Sequence, residues 1–345
     1  MIHDSTHTGE VLRITLALVP VILFLVALQA LDSYKLVSMR TVFTALLAGA
    51  LAAGICFPIN SFVFTQFPRY ADEYARFGAP VVEELAKAVY WIFLIATARV
   101  AFMADSAIGG FAIGAGFAVV ENIFYLQVLQ GQGPAIWIVR GFGTAIMHGG
   151  VAAIGATISA YLLDSRQWRG VRLFAPGVLA AIVLHSVFNQ SLQSPVVSMV
   201  LAVVGVPLVL GVVLYLSERS LRRWLGGKMD RDIDMLDMIG SEEFQRTRVG
   251  AYLMSLQEAF PPELRGDMLS LLQLTTELSM RAKSDLMLRE AGLEVAPDPE
   301  LDSLFAELRY LEKSIGPTGM LAVRPLLSQS PRDLWEMHRL GQGLR

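Results

Sequence analysis

Seven stretches of mostly apolar residues, each about 20 long, run through the first two thirds of this chain. They lie near 11–31, 41–64, 80–98, 107–129, 138–163, 174–193 and 196–216. In lipid every backbone N–H and C=O must be satisfied inside its own segment, so such stretches fold as helices. A mean hydropathy of +0.51 places the chain in the membrane class. Most Asp, Glu, Lys and Arg residues lie beyond 216, where the sequence has soluble-type composition and a slightly acidic balance. Nothing there suggests nucleic-acid binding. The expected fold is all-α. A polytopic bundle of about seven transmembrane helices (1–216) is followed by a helical cytoplasmic segment (217–345).

Short connections, such as the turn Gly131-Gln132-Gly133-Pro134, join the spans. The first apolar run is longer than a signal-peptide h-region and lacks a small-residue cleavage site, so it reads as a retained helix. The single cysteine, Cys56, excludes an internal disulfide and a thiolate metal site of the usual kind. Alternating through seven spans collects Lys35, Arg40, Arg99, Arg166, Arg169, Arg172 and the Arg219–Lys228 cluster on one side. By the positive-inside rule that side is cytoplasmic. The chain is thus expected to be a multi-pass cell-membrane protein with its N-terminus outside and its C-terminal segment in the cytoplasm. In that segment helical periodicity marks 244–259, 263–288 and 301–315, with Pro261-Pro262 and Pro297–Pro299 as breaks.

Ionisable residues inside the spans are expensive, at roughly 2.5–3.5 kcal/mol each on insertion scales. This chain carries Glu83, Glu84 and Lys87 in the third span and Glu121 with Asn122 in the fourth. His148 lies in the fifth, and His185 and Asn189 in the sixth. The four-residue spacing pairs Glu83 with Lys87 and turns Glu84 away. Pro80 is expected to open the third helix and set both glutamates in its first turn, near the positive end of the dipole. Counted from the span ends, all four helices place their polar groups in the outer half of the bilayer. A shared depth implies one water-accessible cavity. Arg140 is expected to be an interfacial anchor.

Two carboxylates, two imidazoles and an amide suit hydrolysis. A carboxylate serves as general base, and an imidazole and an amide hold the oxyanion. The same donors also suit a divalent metal such as zinc, with Glu84, Glu121, His148 and His185 as the ligand set. No His-Glu-x-x-His, Gly-x-Ser-x-Gly or paired-aspartate signature is present.

At these residues the chain resembles the PrsW family of intramembrane proteases. Glu83-Glu84-Leu85-Ala86-Lys87 looks like the family's Glu-Glu-x-x-Lys motif. Phe117-Ala118-Val119-Val120-Glu121 resembles its Phe-Ala-x-x-Glu motif, here extended by Asn122 and Tyr125. His148 is similar to the third motif, and His185-Ser186-Val187-Phe188-Asn189 to the fourth. The wider superfamily takes in the CAAX prenyl proteases and the bacteriocin-processing proteases. Over residues 70–195 the resemblance implies a membrane-embedded endopeptidase that cuts a membrane-anchored protein, as PrsW-type enzymes cut anti-sigma factors. It implies that Glu83 and Glu84 are essential, with His185 beside them. Similarity to the prenyl proteases implies that a glutamate and the second-motif residue activate water, while His185 and Asn189 hold the oxyanion. Those enzymes carry histidine at the second motif, where this chain has Glu121.

Two other readings fit the same charges. One is a non-catalytic scaffold, like the scaffold subunit of gamma-secretase, that docks a cytoplasmic partner through its C-terminal helices. The other is an ion-coupled transporter.

Overall fold

The structure is a computed structural model that describes residues 2–166, 169–190, 194–256, 258–296, 298–327 and 330–342. Among these residues every regular element is helical. The expectations that fall on 191–193, 257 and 297 lie outside them. The chain divides into two compact units, Met1–Glu218 and Arg219–Arg345.

The first unit is built from α1 (Ile2–Ala30), α2 (Met39–Gln66), α3 (Ala79–Ala96), α4 (Met103–Val128), α5 (Pro134–Arg166), α6 (Val171–Gln190) and the first part of α7 (Pro195–Gly240). Six of these are long and apolar enough to cross a membrane. The exception is α3, whose 18 residues carry Glu83, Glu84 and Lys87. Those three side chains are buried, while Val81, Leu85, Val89 and Phe93 form an exposed apolar stripe at four-residue spacing. An apolar exterior over a charged interior is the pattern expected of a helix whose outside meets lipid.

The core is α4 against α5. Of their apolar windows 72% is buried, against 33% or less for the other spanning helices. From Ala104 to Ala118 every α4 side chain is buried, because α1, α2, α3 and α5 surround it. Lipid tails are as apolar as leucine, so close backbone packing through small residues must hold such helices together. The Gly/Ala runs of α4 and α5 provide it. A methyl group at Gly114 would overlap the main-chain carbonyl of His148, and one at Gly116 would overlap that of Leu46 on α2. The close approach at Gly114 sets where the His148 side chain emerges.

Two π-helical turns interrupt the α pattern: Tyr74–Gly78, directly before α3, and Val139–Thr144, inside α5. The first corrects the sequence expectation for Pro80. The chain is already helical at Gly78 (φ −74°, ψ −49°), so the α3 glutamates do not sit in the first turn of a free helix end. The macrodipole argument for their charge therefore falls away. The last span also differs from expectation, since α7 continues unbroken past 216 to Gly240. Hydropathy drops there, but Arg, Leu, Glu and Lys are good helix formers and carry the helix onward.

The second unit holds the rest of α7, then α8 (Arg248–Ser255), α9 (Pro262–Glu290), α10 (Leu301–Val323) and α11 (Pro331–Gln342). Leu271, Leu278, Leu311 and Val323 are among its core residues. Gly316, at φ 69°, kinks α10 ahead of Pro317. Lys283 is fully buried and pairs with Asp232 at 2.7 Å and Glu336 at 3.1 Å. Burial pushes the Glu336 carboxyl up to about 7, with Lys283 pulling the other way.

Gly114→Ala is expected to cost about 1–3 kcal/mol through overpacking of α4 against α5. Gly54→Ala, at a position with nothing within 4 Å, is expected to be neutral or slightly stabilising. Denaturant unfolding of both variants in detergent checks the contrast; equal stability would contradict the close-packing account.

Candidate active site

The inner face of α3 supplies the anchor. Lys87, with none of its surface exposed, places its ammonium nitrogen 2.7 Å from Glu84 Oε1, three residues earlier. It also lies 2.8 Å from His148 Nδ1 on α5 and 4.1 Å from the centre of the Phe117 ring on α4. The expected Glu83–Lys87 pair is therefore not the one formed. Spacings of three and four are equally reachable on a helix. The imidazole and the aromatic face draw the ammonium to the Glu84 side. Glu83 turns instead toward α2, where Asn60 Nδ2 donates to its Oε1 at 3.1 Å.

The two histidines meet edge to face, with ring centres 4.8 Å apart. His185 Nδ1 lies 2.8 Å from Glu84 Oε1 and its Nε2 lies 3.9 Å from Glu83 Oε2. Glu84 Oε1 thus accepts from both Lys87 and His185. With Nδ1 donating, Nε2 keeps its lone pair and faces Glu83. His148 has both nitrogens engaged, Nδ1 by Lys87 and Nε2 by Glu121 Oε2 at 3.1 Å.

Glu121 is braced in turn by Arg140, 3.2 Å away. The Arg140 guanidinium also donates to Asn122 Oδ1 at 3.0 Å and stacks 3.7 Å from the Tyr125 ring centre. Arg140 is not the interfacial anchor that its place near a span end suggested. It lies within the π turn Val139–Thr144, where hydrogen bonds run from i to i+5. That turn shifts Arg140 relative to the α spacing and aims it inward. Asn122 is fixed as well, donating to the Ala17 carbonyl at 2.7 Å.

Glu83, Glu84, Glu121, His148 and His185 therefore form one connected cluster drawn from α3, α4, α5 and α6. Asn189 stands apart from it, donating to the Ala75 carbonyl at 3.0 Å. A cavity of about 1100 Å³ opens on the cluster, and Asn60, Glu83, Glu121, His148, His185 and Asn189 line it. Glu84 and Lys87 lie behind this wall. Asn60 and Tyr74 were not legible as site residues, because an amide and a phenol outside the charged motifs carry no signal of their own.

The donor set fits a divalent metal. Glu83, His148 and His185 each bring a ligand atom within 4.8 Å of the others. His185 already has a carboxylate behind its second nitrogen, the usual support for a metal-bound imidazole. Glu83 and His185 are available as they stand, whereas His148 would have to release Lys87 or Glu121. Glu84 and Glu121, expected among the ligands, are both engaged in holding the histidines.

A carboxylate–imidazole cluster that opens on a cavity among membrane-length helices has the groups that hydrolysis inside a membrane needs. The family comparison makes this specific. The PrsW family intramembrane metalloprotease model matches residues 37–216, and the chain belongs to that family. No curated protein and no solved structure matches it. The protein is accordingly a multi-pass membrane peptidase whose substrates are membrane proteins.

Lys87→Met should cost about 3–5 kcal/mol, because it leaves the Glu84 carboxylate buried without its cation. Adding Glu84→Gln should recover part of that loss. Unfolding of the single and double variants in mixed detergent micelles measures the coupling, and strictly additive losses would refute the pairing.

Proposed function

We propose that this protein cuts a membrane-anchored protein near the extracytoplasmic face, with Glu83 as general base. The supporting observation is the 3.9 Å separation of Glu83 Oε2 from His185 Nε2 at the cavity wall. That distance is too long for a hydrogen bond and suits one atom held between the two.

Glu83 takes a proton from water as the water oxygen attacks the scissile carbonyl carbon. His185 Nε2 accepts a hydrogen bond from the O–H that the water oxygen keeps, its ring held by the Nδ1 bond to Glu84. The Asn189 amide keeps a second N–H beyond the one given to Ala75, and this N–H meets the developing oxyanion. The carbon–nitrogen bond then breaks, and Glu83 returns its proton to the leaving amine. Glu121 and Arg140 fix the His148 ring beside His185. A divalent metal such as zinc would be held by Glu83, His185 and His148, and when bound would acidify the water and polarise the carbonyl.

The loop-charge asymmetry supports an outside N-terminus and a cytoplasmic C-terminal unit. The family resemblance makes anti-sigma factors the first substrates to test. The C-terminal helices are suited to docking a cytoplasmic partner.

Membrane-protein fragments should be quantified by proteomics in cells carrying wild type, Glu83→Gln, Glu84→Gln or His185→Ala. Each variant should lose its fragments by at least about a hundredfold while still reaching the membrane. Undiminished cleavage by Glu83→Gln would overturn the reading.

A further inference from the structure

The carboxylate proposed as general base has a support outside the four motifs. Tyr74 Oη donates to Asn60 Oδ1 at 2.8 Å, and Asn60 Nδ2 donates to Glu83 Oε1 at 3.1 Å. The two bonds act in one direction. By occupying the amide oxygen, the Tyr74 hydroxyl points the Asn60 amino group at Glu83. A flipped amide would set oxygen against carboxylate and leave the hydroxyl facing an amino group. Glu83 Oε1 is thereby held from the α2 side, and Oε2 is the oxygen presented to His185.

Tyr74 is fixed in its turn. It opens the π turn Tyr74–Gly78, and its ring packs edge-on against Phe64 of α2 with centres 5.3 Å apart. The next residue, Ala75, supplies the carbonyl that holds Asn189. One π turn therefore reaches two groups on separate helices, Glu83 through Asn60 and Asn189 directly. Such turns recur at functional sites because they re-aim groups that a continuous α-helix would misplace.

We propose that Asn60 and Tyr74 are positioning residues for Glu83, acting as a hydroxyl–amide relay from the Tyr74–Gly78 turn. This rests on the reading of Glu83 as the base. The relay acts through Glu83, fixing which carboxylate oxygen faces His185. A group held this way loses rate, rather than substrate affinity, when its support is removed.

The test uses the full-length protein in liposomes, with a membrane-anchored substrate identified by the fragment comparison above. Tyr74→Phe and Asn60→Ala should each lower kcat by between about ten- and a hundredfold, with KM within about twofold of wild type. Adding Tyr74→Phe to Asn60→Ala should lower kcat no further, because both remove one relay. Thermal unfolding separates this from a fold defect, since Tyr74→Phe keeps the ring against Phe64 and should leave the transition unchanged. Unchanged kcat in both single variants, or additive losses in the double variant, would overturn the relay. Cleavage retained by Glu83→Gln would instead overturn the reading of Glu83 as base. The two failures are therefore distinguishable.

Discussion

The Lys87 ammonium group lies between Glu84, His148 and the Phe117 ring, with no surface open to solvent. A cation so placed is tolerable only because each neighbour presents negative charge, a lone pair or a π face. The constraint runs both ways. Lys87 and His185 together hold Glu84, and Glu84 orients His185 so that Nε2 faces Glu83. Lys87 also occupies His148 Nδ1, which leaves Nε2 to bond Glu121. The orientation of both imidazoles thus traces back to one buried pair on α3.

Backbone packing brings these groups together. The apolar exteriors of the helices gain nothing from association in lipid, so the bundle depends on close approach at small residues. At Gly114 the α4 backbone comes against the His148 carbonyl, and this approach brings the α5 imidazole to the α3 charges. The π turns Tyr74–Gly78 and Val139–Thr144 make the adjustments that regular helices cannot. One carries Tyr74 and Ala75 to the site, and the other carries Arg140.

Much of this was legible from the residues. Apolar run length specified a helical membrane bundle, and the cost of intramembrane charge singled out Glu83, Glu84, Glu121, His148 and His185. Their shared depth pointed to one cluster, and α3, α4, α5 and α6 do converge on one. Pairing within the cluster was less legible. Lys87 can reach residues three or four positions back, and only α4 and α5 decide between them. Arg140 was misplaced because counting along an ideal helix cannot register a π turn. Pro80 was read as a helix start because its ring suits a first turn, yet the turn before it is already helical. Asn60 and Tyr74 acquire a role only through the packing of α2 against the segment before α3. The end of the last span was set by hydropathy, which marks where the apolar run stops rather than where the helix stops.

The proposed chemistry rests on one reactive atom held between Glu83 Oε2 and His185 Nε2. A high-resolution density map of the full-length protein in lipid tests it most directly. A single peak is expected between these atoms, at about 2.6–3.0 Å from each, as for a water oxygen. A direct hydrogen bond between His185 and Glu83, or a Glu83 carboxylate turned away from the cavity, would contradict it.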